Sequence, residues 1–184
     1  IFFMELFVEL LALAISLSAV VIMSSIFWGM IRTRGVPFIS SPKKHFDRVL
    51  EEANLKPGQK VYDLGCGKAH FLVRASKKFG LRGEGYEMSL APYWWGRFNV
   101  FVNKADVKLH CQNFFKADLH DADLIYCYLF PEVMAKLSPK FKAELKPGAK
   151  VISYDFRIPD LTPAKEIITN EKKPAYGRIL VYEF

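Results

Sequence analysis

Twenty-two consecutive residues without a charge, Leu10–Ile31 (LLALAISLSAVVIMSSIFWGMI), constrain this chain more than any other feature. As a helix the run would be about 33 Å long, enough to cross a hydrocarbon core of about 30 Å. A buried core helix is usually shorter and apolar along one stripe, whereas this run is apolar all round. A cleaved secretory signal has a basic start and a small-residue cleavage site; here Glu5 and Glu9 precede the run and no clear A-x-A follows. The run is therefore expected to span a membrane, with Phe27 and Trp28 at the level of the headgroups.

Charge is as unevenly placed as hydrophobicity. Residues 1–31 hold no Lys or Arg, and Arg32, Arg34, Lys43 and Lys44 follow directly. The positive-inside rule then puts the remainder in the cytoplasm or an equivalent compartment such as a mitochondrial matrix. Only three cysteines, Cys66, Cys111 and Cys127, are present, too few for a disulfide scaffold and suited to a reducing compartment. A prokaryotic plasma membrane is favoured over a mitochondrial inner membrane, because no Arg/Ser-rich presequence is seen. All 26 basic residues lie beyond residue 31 against 17 acids, a net +9 that draws this part toward anionic headgroups. The lysines are dispersed, without a basic helix or an RNA-binding motif, so nucleic acid is not an expected partner. His45, His70, His110 and His120 are scattered, no cysteine pair has zinc-ligand spacing, and no metal site is expected.

Beyond a connector, GVPFIS, the pattern alternates between strand and helix. Ser41 is expected to cap a helix with Pro42 as its first residue, its apolar face being Phe46, Val49, Leu50 and Ala53, and Lys56-Pro57-Gly58 stops it. Strands are expected at Lys60–Cys66, Arg82–Met88, Val107–Asn113, Asp123–Phe130 and Ala149–Phe156. Helices are expected at His70–Phe79, Ala91–Lys104 and Pro131–Leu145. Lys165–Asn170 and Arg178–Phe184 leave no room for a helix between them and read as a hairpin. Repeated β-then-α units give an α/β, doubly wound, mostly parallel sheet of seven strands with a terminal antiparallel hairpin, preceded by one transmembrane helix. The organisation is an anchor (1–31), a connector and lid (32–41) and an α/β domain (42–184).

Ligands of open α/β sheets bind beyond the carboxyl ends of the strands. There the chain places Asp63-Leu64-Gly65-Cys66-Gly67, then Glu87, Asn113-Phe114, Tyr128-Leu129-Phe130-Pro131 and Asp155. Asp-x-Gly-x-Gly at a strand-to-helix turn lets backbone approach a ligand closely. Glu87, 24 residues after Asp63, is where an acid accepts both hydroxyls of a ribose. The spacing is not the G-x-G-x-x-G of dinucleotide dehydrogenases, whose third glycine would fall at His70.

These residues resemble the class I, seven-stranded, S-adenosylmethionine-dependent methyltransferases over about residues 36–184. The segments GVPFISSP, VYDLGCG, FFKADL with DADLIYCYLFPEVM, and LKPGAKVISYDFRIP resemble more closely the membrane-anchored protein lysine methyltransferases. Eukaryotic members of that family modify the adenine nucleotide translocase and the ATP synthase c-subunit. The resemblance implies S-adenosylmethionine as cofactor and a lysine of a membrane protein as substrate. It implies that Asp63, Gly65 and Gly67 shape the methionine and ribose pocket, that Glu87 holds the ribose, with Met88 beside it, and that Asn113 and Phe114 face the adenine. Pro37, Phe38 and Ser41 would form a lid. Where the family continues Gly-Asp-Gly-Arg, this chain has Gly67-Lys68-Ala69-His70, and Lys68 changes the local field.

Methyl transfer to an amine needs the neutral amine, roughly one lysine in a thousand at neutral pH. An apolar, aromatic wall lowers the amine pKa by desolvation, and Phe38, Tyr128 and Phe130 are candidates for it. Tyr128 is the candidate hydrogen-bond acceptor for the amine, and Asp155 the candidate orienting acid. Tyr93, Trp94 and Trp95 are expected to pack on the sheet or lie against a membrane. Methylation of a lipid or small membrane molecule, and a catalytically silent cofactor-binding module, are the alternative readings.

Overall fold

A computed structural model describes residues 2–32, 41–170 and 176–184. The chain divides into two compact units, 1–38 and 39–184. Pro37 and Phe38 of the expected lid lie outside the described residues, as do Arg34 and the side chains of Phe27 and Trp28.

The first unit is a helix, α1 (Phe2–Arg32), and its window Phe3–Ser24 is long and apolar enough to cross a membrane. Three of its serines satisfy their hydroxyls within the helix. The Ser16, Ser18 and Ser24 hydroxyls donate to the carbonyls of Ala12, Ala14 and Val20, at 2.9, 2.7 and 2.6 Å. Internal satisfaction of this kind is what a hydrocarbon surrounding requires.

The second unit begins with a 3-10 turn (Lys43–His45) leading into α2 (Phe46–Ala53). There follow β1 (Lys60–Leu64), α3 (His70–Phe79), β2 (Arg82–Tyr86), α4 (Leu90–Asn103), β3 (Val107–His110), β4 (Leu124–Cys127), α5 (Pro131–Glu144), β5 (Lys150–Tyr154), β6 (Lys165–Ile168) and β7 (Arg178–Glu183). The sheet order is β3-β2-β1-β4-β5-β7-β6. β1 to β5 are mutually parallel, and β7 is antiparallel to both β5 and β6. A short 3-10 turn (Phe114–Lys116) stands between β3 and β4, so helical crossovers join β1 to β2, β2 to β3 and β4 to β5.

Two apolar clusters sandwich the sheet. One joins Phe46, Val49 and Leu50 of α2 and Phe71 and Leu72 of α3 to Val61, Tyr126, Ile152 and Tyr154. The other joins Met134, Leu137 and Phe141 of α5 to Tyr62, Leu64, Ile125, Cys127 and Val151. β4 is buried at every position because it feeds both.

Two local expectations fail at the domain's entry. Ser41 does not cap α2, and Pro42 is extended rather than helical. The Ser41 hydroxyl bonds instead to the buried Tyr126 hydroxyl in the core. A buried phenol needs that partner more than an exposed helix end does.

Between β2 and α3 the packing leaves no room for a side chain at Gly85. A Cβ there would stand 2.6 Å from Leu109 Cδ2, 2.7 Å from Leu72 Cδ1 and 2.8 Å from Cys66 Sγ. Gly85→Ala is expected to destabilise the domain by about 1–3 kcal/mol. A lowered urea midpoint of the detergent-solubilised chain measures it.

Candidate functional site

The turn after β1 is built by backbone first. The amides of Gly65 and Cys66 both donate to the Tyr86 carbonyl at the end of β2, at 2.9 and 3.0 Å. Gly65 has φ +86°, a left-handed conformation that favours glycine. A Cβ at Gly65 would lie 3.3 Å from Leu129 Cδ2, so the segment after β4 closes over the turn.

Glu87 then fixes the turn from the neighbouring strand. Its Oε2 accepts from the Gly67 amide at 3.0 Å, and its Oε1 from the Ser89 amide at 2.7 Å. The Glu87 amide donates to the His110 carbonyl of β3 at 3.0 Å. One buried carboxylate thus joins the glycine turn to the start of α4. Met88 is half-buried beside it.

Asp63 is buried in β1, in register with Gly85 of β2 and Tyr126 of β4. Burial first, and the Glu87 charge second, push its carboxyl up to about 8. Two buried acids that sense each other's charge favour a cation or hydroxyl donors as their ligand. Burial also raises the thiols of Cys66 and Cys127, which keeps them protonated and unreactive.

The segment Lys68-Ala69-His70 is tied down from α4. The Asn99 Nδ2 donates to the Lys68 carbonyl at 3.0 Å and lies 2.9 Å from His70 Nδ1. Burial, with Lys43 and Lys68 nearby, lowers the His70 pKa, so its ring is neutral. Ala69 is buried at φ +56°, a left-handed conformation costing about 1–2 kcal/mol for a residue with a Cβ.

At the next strand end Asn113 has a local task. Its Oδ1 accepts from the Phe115 amide at 3.0 Å, capping the 3-10 turn. The Phe114 ring packs partly into the core of the α5 face, whereas Phe115 is exposed.

The carboxyl ends of β4 and β5 carry an aromatic wall. Tyr128 stacks on Phe156 with centroids 5.8 Å apart and meets Tyr154 edge-on at 5.4 Å. Phe130 lies 5.7 Å from Phe156, and His45 stacks on Tyr154 at 5.6 Å. Sequence reasoning found Tyr128 and Phe130 and missed Tyr154, Phe156 and His45. The YDF at the end of the fifth strand held that signal, since aromatics flank the acid there. Burial, and Asp155 second, raise the Tyr128 hydroxyl, which stays protonated.

Asp155 sits at φ +65° with its carboxylate turned into the terminal hairpin. Its Oδ1 accepts from the Gly177 and Arg178 amides, the latter at 2.9 Å, and Arg178 Nη2 donates to its carbonyl at 3.0 Å. That carboxylate positions β7 against β5 and the aromatic wall above them.

Residues 63–165 match the family model of the ANTKMT methyltransferase domain. The chain belongs to that family. It is a class I methyltransferase, a class whose cofactor is S-adenosylmethionine. A protein-lysine N-methyltransferase of Saccharolobus islandicus (strain REY15A) is 33% identical over 139 residues, covering 74% of this chain and 86% of the relative. The mouse adenine nucleotide translocase lysine N-methyltransferase is 32% identical over 133 residues, 70% of this chain but 56% of that protein. Among solved structures, an RNA methyltransferase from Salinibacter ruber in complex with S-adenosyl-L-homocysteine superposes with a TM-score of 0.73. It is 28% identical and covers 79% of this chain and 93% of its own.

The side chains present fit such a cofactor. Glu87 spends one lone pair of each oxygen on backbone and keeps others for two ribose hydroxyls. Asp63 is a buried acid, its carboxyl raised by burial and by Glu87, beside a turn that backbone can bring close to a charged ligand.

Raising a carboxyl's folded pKa above its unfolded value means that the folded chain binds the extra proton. Ligand-free stability should then fall as pH rises between about 4 and 8, with a slope approaching ~1.4 kcal/mol per pH unit. Asp63→Asn should remove this slope in urea titrations run at successive pH values.

Proposed function

We propose that this chain is a membrane-anchored, S-adenosylmethionine-dependent protein-lysine N-methyltransferase that acts on a lysine close to the membrane. The observation that carries the reading is the pairing of two buried acids, Asp63 and Glu87, with an aromatic wall on the same edge of the sheet. The lysine specificity printed for the Saccharolobus relative, and the membrane-protein substrate of the mouse one, support it. The apolar α1 window and its basic flank support an anchor whose domain faces the cytoplasm or matrix.

When bound, S-adenosylmethionine supplies an already activated methyl group on a sulfonium. The chain's task is then orientation and exclusion of water, which together are worth up to about 7–11 kcal/mol of barrier. Glu87 would hold the ribose, Asp63 would offset the charge of the sulfonium or amino group, and Asn113 would offer its amide to the base. Tyr128, Phe130, Tyr154 and Phe156 surround the incoming amine and favour its neutral form by desolvation. The Tyr128 hydroxyl, protonated in this setting, accepts from an amine N–H and aims the nitrogen lone pair. Released protons pass to water. Asp155 acts through the hairpin that it positions.

Incubation of the detergent-solubilised chain with membrane extracts and methyl-labelled S-adenosylmethionine tests the proposal. Label is expected in a protein band that survives lipid extraction, with a lysine as the modified residue. Glu87→Gln should reduce the rate by ~100-fold, as two charge-assisted hydrogen bonds predict. Label confined to the lipid fraction would favour a lipid substrate and contradict the protein reading.

A further inference from the structure

α4 is an unusual crossover helix. Among its fourteen residues only Gly96 is buried. Trp94, Trp95, Phe98 and Phe101 are 60%, 56%, 58% and 79% exposed, and Leu90 and Val102 are exposed with them. The spacing 90, 94, 98, 101 with 95 and 102 draws one continuous stripe along a helix. Scattered exposed apolar residues need no explanation; a contiguous stripe of six large ones on a single helix does.

The opposite side of α4 meets the glycine turn through Gly96 and Asn99. A Cβ on Gly96 would lie 2.9 Å from the Gly67 carbonyl, and Asn99 holds Lys68 and His70. α4 therefore presents its apolar stripe outward while its inner face supports the glycine turn.

Cations frame the stripe. Arg97 lies over the Trp94 ring at 5.4 Å, and Lys68 stands 6.0 Å from the Trp95 centroid. Lys104 caps the helix, and Lys108 is exposed on the adjoining edge strand β3. The nearby acids are already engaged: Asp106 faces Arg82 at 3.8 Å, and Glu84 bonds His110 at 2.8 Å. Tryptophans backed by Arg and Lys, with phenylalanines and leucine beyond them, match the layering of a bilayer interface. Indole rings sit at headgroup level, basic groups meet lipid phosphates, and aliphatic and phenyl groups go deeper. An apolar helix within the same chain supplies the bilayer at high local concentration.

We infer that the outer face of α4 docks on the surface of an anionic bilayer, lying in the interface plane through Trp94, Trp95, Phe98 and Phe101 with Arg97 and Lys68 on lipid phosphates. The docking holds the glycine turn, and the site with it, toward the membrane. It rests on the anchored reading only for the local concentration of lipid.

Tryptophan quenching tests the inference in the full chain, reconstituted into vesicles of phosphatidylcholine with phosphatidylglycerol and brominated acyl chains. Trp28→Phe leaves Trp94 and Trp95 as reporters of α4; the double variant Trp94→Phe, Trp95→Phe leaves Trp28 as reporter of the anchor. The inference expects Trp94 and Trp95 to be quenched and blue-shifted relative to detergent. Omitting phosphatidylglycerol, or adding Phe98→Asp and Phe101→Asp, should lose that quenching while S-adenosylhomocysteine affinity stays unchanged. Quenched Trp28 with unquenched Trp94 and Trp95 would overturn the docking and leave the anchor standing. The reverse pattern would retain the docking and remove the anchor. A dimeric mass in detergent, with emission already blue and indifferent to lipid, would assign the face to a second copy and overturn the inference.

Discussion

A single carboxylate holds the site in shape. Glu87 takes the amide of Gly67 on one oxygen and that of Ser89 on the other, across the gap between β1 and β2. The glycine turn has left the ladder there, and the Gly67 amide depends on this side chain. Without Glu87 the buried Gly67 amide and the half-buried Ser89 amide would lose their acceptor, and loss of a buried one costs about 1–3 kcal/mol. The turn, the first residues of α4 and the acid proposed to hold a ribose are therefore one unit. A change in any of them is felt in the others.

The same unit explains how the chain accommodates Lys68-Ala69-His70. Ala69 keeps the left-handed backbone that a glycine would adopt freely. Asn99 offsets this by fixing the carbonyl before it and the imidazole after it. Lys68 points away to the Trp95 ring instead of into the glycine turn. Its charge thus borders the outer face of α4, while the inner side of the turn faces the buried acids Asp63 and Glu87.

Most of the fold was legible because its strands are short apolar runs closed by Pro-Gly or glycine signals. The helices His70–Phe79 and Pro131–Glu144 stand within one residue of their expected ends. The strands were read too long at their carboxyl ends: β1 stops at Leu64, β3 at His110 and β4 at Cys127. After β4 the run stays apolar and aromatic through Tyr128, Leu129 and Phe130, and periodicity cannot tell where ladder pairing ends within such a run. Ser41-Pro42 looked like a helix start but serves the Tyr126 hydroxyl. Asp155 read as a site acid, yet its partners Gly177 and Arg178 lie 22 and 23 residues away, a pairing that only the hairpin register reveals. Tyr154 and His45 meet across elements far apart in sequence, so no local pattern announces their stacking.

The central claim is that Asp63 and Glu87 form the charged floor of an S-adenosylmethionine site. Calorimetric titration of the detergent-solubilised chain with S-adenosylmethionine at pH 7, in two buffers of different ionisation enthalpy, tests it most directly. A cationic ligand beside an acid raised to about 8 should force that acid to ionise, releasing close to one proton per site. Asp63→Asn should bind more weakly and release none. Absence of binding, or binding with no proton released by the natural sequence, would contradict the account.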